Sequence, residues 1–210
     1  MLNNQTFKIA FFVSLLGCCG MCQRAIAQHA QDTTRIAEPV RIEDKKLESA
    51  LKGLLTEKLK ARSVECYDQP YKRADGSTPQ GIEFSVAVDK SQQRIDTIHA
   101  KLAADGYRAY RCEMALDDEP QKVCVLHAPD QFDLLRYECT NGVNFNISTD
   151  DIVARLKMWD TKFGLTLTAA AHDHVEARIR NAPSSWSAFA KEVYAFCPDV
   201  VDQGIGTVEA

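Results

Sequence analysis

The stretch 148–202 constrains the fold most, because its apolar residues repeat with the period of a helix, then of a strand, then of a helix again. Ser148 with an acidic residue three positions later is typical of a capping box that starts a helix. The apolar residues that follow share one helical face: Ile152, Leu156, Trp159 and Phe163. Gly164 favours a left-handed cap, so the helix is predicted to end there.

Two strands and a second helix follow this first helix. The segment 165–168 alternates as a strand, and so does 173–179, where Val175, Ala177 and Ile179 are expected to face the core. The opposite face carries polar residues: His172, His174, Glu176 and Arg178. The second helix begins near Pro183 and ends before Pro198. This order predicts a single α+β domain with a mixed or antiparallel sheet, helices on one or both faces, and both tryptophans in its core.

Six further elements are predicted before this stretch. Leucines 47–59 mark an amphipathic helix. A strand at 82–88 and a helix at 89–105, capped by Gly106, lead into strands at 107–114 and 123–127. Asp130 with Asp133 predicts the start of a short helix. Asn141-Gly142 either caps that helix or forms a tight hairpin, and we prefer the cap.

The amino-terminal residues 1–27 are typical of an export signal. Lys8 precedes the apolar core 9–16, and Ala25-Ile26-Ala27 is a small-x-small cleavage site. That core is shorter than the roughly 20 apolar residues that cross a bilayer, so no transmembrane span is expected in the mature chain. The protein is therefore predicted to be periplasmic or extracellular. The alternative is a lipoprotein signal that ends before Cys18, with the protein anchored by a lipid on that cysteine.

The charge of the chain limits its partners. Residues 28–43 are polar and predict a flexible tether, which leaves 44–210 as the α+β domain. The formal net charge of the whole chain is −4, and the signal contains Lys8 and Arg24 but no acidic residue. The mature part is therefore more acidic still, which argues against nucleic acid as a partner. A protein or small-molecule partner of neutral or basic character is compatible with this charge.

The cysteines divide between the predicted signal and the mature part of the chain. Three of the eight lie in the signal, and the mature part keeps Cys66, Cys112, Cys124, Cys139 and Cys197. Because that number is odd, at least one stays unbridged or pairs between chains. Folding about the turn at 117–120 brings Cys112 opposite Cys124 to within one residue. These two could form a disulfide in an oxidising compartment, or they could remain buried thiols.

Several motifs together resemble one bacterial family, the domain of unknown function 4253 family. They are 130–136, 140–142, 147–156, His172-Asp173 and 196–204, and the resemblance covers roughly residues 100–210. The family has no assigned activity, so the resemblance implies none. Family members often have an aromatic residue where this chain has His174.

Candidate site residues are few, and no catalytic residue is predicted. His172, His174 and Glu176 recur every second residue, a spacing that metal sites use on a strand, so zinc is the one cofactor considered. Cys197 lies at the negative end of a helix, which does not activate a thiol. Polar loops could form a binding surface: Asn141, His172, Asp173, Asp199, Asp202 and Gln203. The favoured hypothesis is a non-enzymatic binding or interaction module, and the alternative is a small metal-dependent hydrolase built on the histidine pair.

Overall fold

The structure, a computed structural model, describes residues 42–62, 64, 66, 71–113 and 119–198. Its helices are α1 (Ile42–Lys52), α2 (Val88–Leu102), α3 (Asp133–Tyr137), α4 (Thr149–Phe163) and α5 (Trp186–Phe196). Its strands are β1 (Lys60–Arg62), β2 (Gly81–Val86), β3 (Tyr107–Arg111), β4 (Gln121–His127), β5 (Leu165–Ala171) and β6 (His174–Ile179). The predicted signal, including Cys18, and most of the predicted tether lie outside the described residues. The tether was predicted to end at residue 43, whereas α1 already begins at Ile42.

The six strands form one mixed sheet in the order β1-β2-β4-β3-β5-β6. Neighbouring strands are antiparallel except β3 and β5, which run parallel. The chain passes from β3 to β5 through β4 and the helices α3 and α4, a crossover of the length that a parallel pair requires. The single α+β domain with a mixed sheet is confirmed.

Helices pack on both faces of this sheet. On one face, α1 and α2 cover a core that contains Leu47, Leu51, Ile95, Ile98, Phe84, Ala109, Val123 and Val125. On the other face, α3, α4 and α5 cover a larger core that contains Leu134, Leu135, Leu156, Trp159, Phe189, Tyr110, Val175 and Ala177. Adjacent residues of one strand point to opposite faces, so Ala109 and Tyr110 enter different cores. The sheet is therefore the middle of three layers.

Helix α4 forms as its sequence predicts. Ser148 accepts a hydrogen bond from the Asp151 N–H, and the Asp151 carboxylate accepts one from the Ser148 N–H, which completes the capping box. Gly164 ends the helix with a φ of +66°. Trp159 is fully buried, and Trp186 at the start of α5 is partly buried and packs against the same core.

Two local predictions differ from the structure. Helix α1 ends at Lys52, ahead of Gly53, and does not reach Leu59. After α3 the left-handed residue is Cys139, with a φ of +54°, and not the Asn141-Gly142 pair. That pair instead begins the turn 141–147, in which Gly142 and Ile147 form a backbone bridge. Among the described residues, no helix is both long enough and apolar enough to cross a membrane.

Candidate functional site

Part of the predicted binding surface comes together where the β5–β6 hairpin turns. His172 and Asp173 form a two-residue turn, because Ala171 and His174 pair across the strands on either side. The Asn141 N–H donates to the His172 carbonyl at 3.0 Å. The Thr140 hydroxyl donates to the Ala171 carbonyl at 2.7 Å. The structure thus places Asn141 against the predicted residues of the hairpin.

The turn 141–147 is held in one conformation by its own hydrogen bonds. The side-chain oxygen of Asn141 accepts the Val143 N–H at 3.2 Å, and its side-chain NH₂ donates to the Cys139 carbonyl at 3.1 Å. Gly142 and Ile147 exchange two backbone hydrogen bonds, of 2.8 and 3.1 Å. Yet Val143 is 65% exposed and Phe145 is 37% exposed. We call Asn141, Val143, Phe145, His172 and Asp173 the tip surface.

The polar face of β6 does not lie open to solvent. His174 is 4% exposed and Glu176 is 8% exposed. The guanidinium of Arg111, on β3, forms an ion pair with Glu176 and also donates to the Gln92 side chain of α2 at 3.1 Å. The His174 Nε2 lies 3.2 Å from a Glu176 carboxylate oxygen. This face is therefore hydrogen-bonded, and the α2 side chains Gln92 and Asp96 contact its arginines.

The predicted metal face of His172, His174 and Glu176 is not assembled on one strand. His172 lies in the hairpin turn and is exposed, so the alternation of β6 does not extend to it. Glu176 is paired with Arg111, a cation that competes with a metal for its carboxylate. Within the described ranges, no group of three or more His, Cys, Asp or Glu side chains is arranged to hold a metal ion. The spacing of the three residues was a misleading indication.

A second buried polar cluster, which the sequence did not predict, lies at the opposite edge of the sheet. The Arg62 guanidinium, on β1, lies 3.1 Å from the Glu138 carboxylate, which is 2% exposed. Glu138 also accepts the Tyr110 hydroxyl at 2.6 Å. The Tyr137 hydroxyl donates to the Arg62 carbonyl at 2.7 Å. One signal was present: Glu138 follows the buried Leu134 and Leu135 at helical spacing, so it shares their inward direction.

Burial and charge act in opposite directions in this cluster. Burial, the largest cause, raises the pKa of Glu138, while the adjacent Arg62 guanidinium lowers it. For Arg62, burial is the largest single effect and lowers the pKa, but the charge of Glu138, the hydrogen bond to it and the neighbouring Cys112 and Cys124 together outweigh burial, so the pKa ends well above its ordinary value. Burial also raises the pKa of Tyr110. A buried carboxylate that accepts hydrogen bonds from an arginine and a tyrosine is a structural network, with a strong penalty for removing one member.

Of the two alternatives for Cys112 and Cys124, the structure shows the buried thiols. Cys112 and Cys124 are buried thiols in hydrogen-bonding contact and are not bridged. The register puts Tyr110, not Cys112, opposite Cys124, so the two cysteines are offset by two positions. The disulfide joins Cys66 to Cys139 instead. Burial raises the pKa of Cys124 well above its usual range. Cys197 is buried at the end of α5, as its place on the apolar face indicated.

Of the other candidate site residues, Asp199, Asp202 and Gln203 lie outside the described residues. The fold places this protein in the class of single α+β domains, and its tip surface carries both polar and apolar side chains. The carboxyl-terminal part can be placed more closely: residues 122–210 match the family described as Domain of unknown function (DUF4253). The resemblance read from the motifs is thereby confirmed. No curated protein and no solved structure matches the chain.

Proposed function

We propose that the protein is an exported, non-enzymatic interaction module that binds a protein partner through the tip surface. The observation that carries this proposal is the exposure of Val143 and Phe145 on a turn that hydrogen bonds hold in place. An exposed aromatic and aliphatic pair costs solvation free energy that burial in a partner would recover. Because the turn is already ordered, little conformational entropy is lost when it binds.

The surroundings of the tip indicate the chemistry of the partner. Asp150, three residues after the turn, is 83% exposed although it pairs with Arg136, and Asp173 lies in the hairpin turn beside Asn141. The chain as a whole is acidic. An apolar pocket rimmed by basic or neutral groups would complement an apolar pair flanked by carboxylates.

Export is the second part of the proposal. The Cys66–Cys139 disulfide supports it, because disulfides persist in oxidising compartments and are rare in reducing ones. Cleavage after Ala27 would release the protein, and lipidation of Cys18 would anchor it to a membrane. Mass spectrometry of the mature amino terminus distinguishes the two forms. An intact Met1 on protein from the cytosol would contradict both.

The alternative function, a metal-dependent hydrolase, has no geometric support in the described residues. His172 and His174 lie in different environments, one exposed in the turn and one buried beside Glu176. A zinc site needs its ligands directed at one point. The binding module is therefore the better account of the tip.

Site-specific photo-crosslinking in the producing cell tests the proposal. A photoreactive phenylalanine analogue replaces Phe145, and the crosslinked protein is identified, purified and titrated against the unmodified protein. The double variant Val143→Ser with Phe145→Ser is expected to weaken that complex at least about tenfold, the effect of removing one strong contact residue. Its melting temperature should stay unchanged, because both side chains are exposed.

The matched control is Val88→Ser. Val88 is 49% exposed and apolar, but it begins α2 and is not part of the tip surface. This variant should bind the identified partner as the parent does. Equal weakening by both variants, or crosslinking from position 88 as efficient as from position 145, would overturn the assignment of the tip surface.

A further inference from the structure

Three successive residues at the carboxyl-terminal end of α3 hold the edge strand β1 in place. The Tyr137 hydroxyl donates to the Arg62 carbonyl at 2.7 Å. The Glu138 carboxylate lies 3.1 Å from the Arg62 guanidinium. Cys139 is bonded to Cys66, four residues after Arg62. We call this set of contacts the clasp.

The clasp lies over the two buried thiols. The Arg62 guanidinium donates to the Cys112 carbonyl at 3.3 Å. On the neighbouring strand Gly81 pairs with Arg62, and a Cβ placed on Gly81 would lie 2.5 Å from the Cys124 sulfur. The thiols of Cys112 and Cys124 are 1% and 0% exposed. They are therefore covered by the end of the sheet that β1 and its arginine close.

Outside the clasp, β1 is held by its pairing with β2 and by the ion pairs of Arg62 with Glu83 and Glu113. It contains three residues, it pairs only with β2, and Lys60 and Ala61 are exposed. Strands this short at an edge contribute few hydrogen bonds and little buried area. The disulfide joins two residues that are 73 positions apart in sequence. A disulfide that closes a segment of this length strongly restricts the unfolded chain.

We propose that the Cys66–Cys139 disulfide is a reducible site that controls access to the Cys112 and Cys124 thiols. A small dithiol is the reductant. Its thiolate attacks one sulfur of the disulfide and forms a mixed disulfide, and its second thiol then displaces that sulfur. Two electrons and two protons pass to the protein, which gains two thiols, and the reductant leaves as a cyclic disulfide. Strand β1 is then held only by non-covalent contacts, so it opens more often and uncovers the thiols beneath it.

Thiol labelling with an internal control tests this inference. The oxidised protein is treated with dithiothreitol under native conditions, the reductant is removed without oxygen, and iodoacetamide labelling is followed by peptide mass spectrometry. Labelling of Cys112 and Cys124 is expected to become at least tenfold faster than in the untreated protein. Cys197, 2% exposed and packed with α5, should label no faster.

Two results would overturn the inference. Equal acceleration at all three buried thiols would mean that reduction unfolds the whole domain. Unchanged labelling of Cys112 and Cys124, with Cys66 and Cys139 fully reduced, would mean that the disulfide does not control access. Hydrogen exchange gives a second readout, because amides of 60–62 should exchange faster after reduction while those of α4 keep their protection. The double variant Cys66→Ser with Cys139→Ser should reproduce the reduced state without dithiothreitol.

Discussion

Replacing Arg62 with methionine is expected to lower the free energy of unfolding by about 3–5 kcal/mol at pH 7, the typical cost of removing one partner of a buried ion pair. The Arg62 side chain is 13% exposed and that of Glu138 is 2% exposed, so solvent screens this pair little. Methionine keeps an apolar stem of similar length, so the loss reports the guanidinium. Glu138 would then remain as a buried carboxylate whose other donor is the Tyr110 hydroxyl.

The cost should depend on pH in a defined direction. Burial already raises the pKa of Glu138 above its ordinary 4.5, and Arg62 holds it down, so removing Arg62 raises the folded-state pKa further. A carboxyl whose folded pKa is raised keeps its full stability below the unfolded pKa and loses it as the pH rises through the folded pKa. The substitution is therefore expected to cost little near pH 4 and its full amount at pH 7.

Urea unfolding of the oxidised protein, followed by the fluorescence of its tryptophans, measures this cost at both pH values. In a Glu138→Gln background the Arg62→Met change should cost clearly less, because it then leaves no unpaired carboxylate buried. Lys52→Met, which breaks the exposed pair with Glu48, is the matched control and should cost less than about 0.5 kcal/mol. A cost for Arg62→Met below about 1 kcal/mol at pH 7, or the same cost at pH 4, would refute the reasoning.

Three further predictions follow from individual side chains. Trp159→Ala should cost about 3–5 kcal/mol in urea unfolding, because Trp159 is fully buried against Phe189, and Trp186→Ala should cost less because that ring is half-buried. His99 accepts the Ala109 N–H at 3.0 Å, and burial, aided by the Arg108 charge, lowers its pKa below 6.5. Stability should therefore fall between pH 7 and 5 more steeply in the parent than in His99→Gln, and parallel pH profiles would contradict this. Dialysis against zinc should leave the melting temperature of the parent unchanged, and likewise that of His172→Ala with His174→Ala, and a zinc-dependent rise in the parent alone would revive the metal site.

Local patterns predicted the elements whose cause is local. The capping box of Ser148 and Asp151 and the glycine at 164 fix the ends of α4 within a few residues of sequence. The alternation of Val175, Ala177 and Ile179 identified the strand β6 and its core face. It could not show that the opposite face of β6 is also buried. The ion pair that closes this face joins Glu176 to Arg111, which lies 65 residues earlier in the sequence.

The buried clusters were missed for the same physical reason. Arg62 and Glu138 are 76 residues apart, and Cys66 and Cys139 are 73 apart, so no local spacing joins them. A pairing of Cys112 with Cys124 was considered because a hairpin is a local feature. The distant disulfide instead requires the chain to place β1 at an edge next to the end of α3. The tip surface was found in part, since polar residues at turns are visible in sequence, but its exposed Val143 and Phe145 were not.

The family match begins at residue 122, inside β4, yet the sheet cannot be divided there. Strand β4 pairs with β2 and β3, and β5 pairs with β3 and β6, so within the matched segment β4 meets the β5–β6 hairpin only through β3, which precedes the segment. The run 137–141 makes the dependence closer. Its first three residues hold β1, and Thr140 and Asn141 hold the β5–β6 hairpin. Because one short run supports both the clasp and the tip surface, β1 is part of the scaffold that positions the tip. A variant that detaches β1 must therefore be assessed for partner binding as well as for thiol exposure.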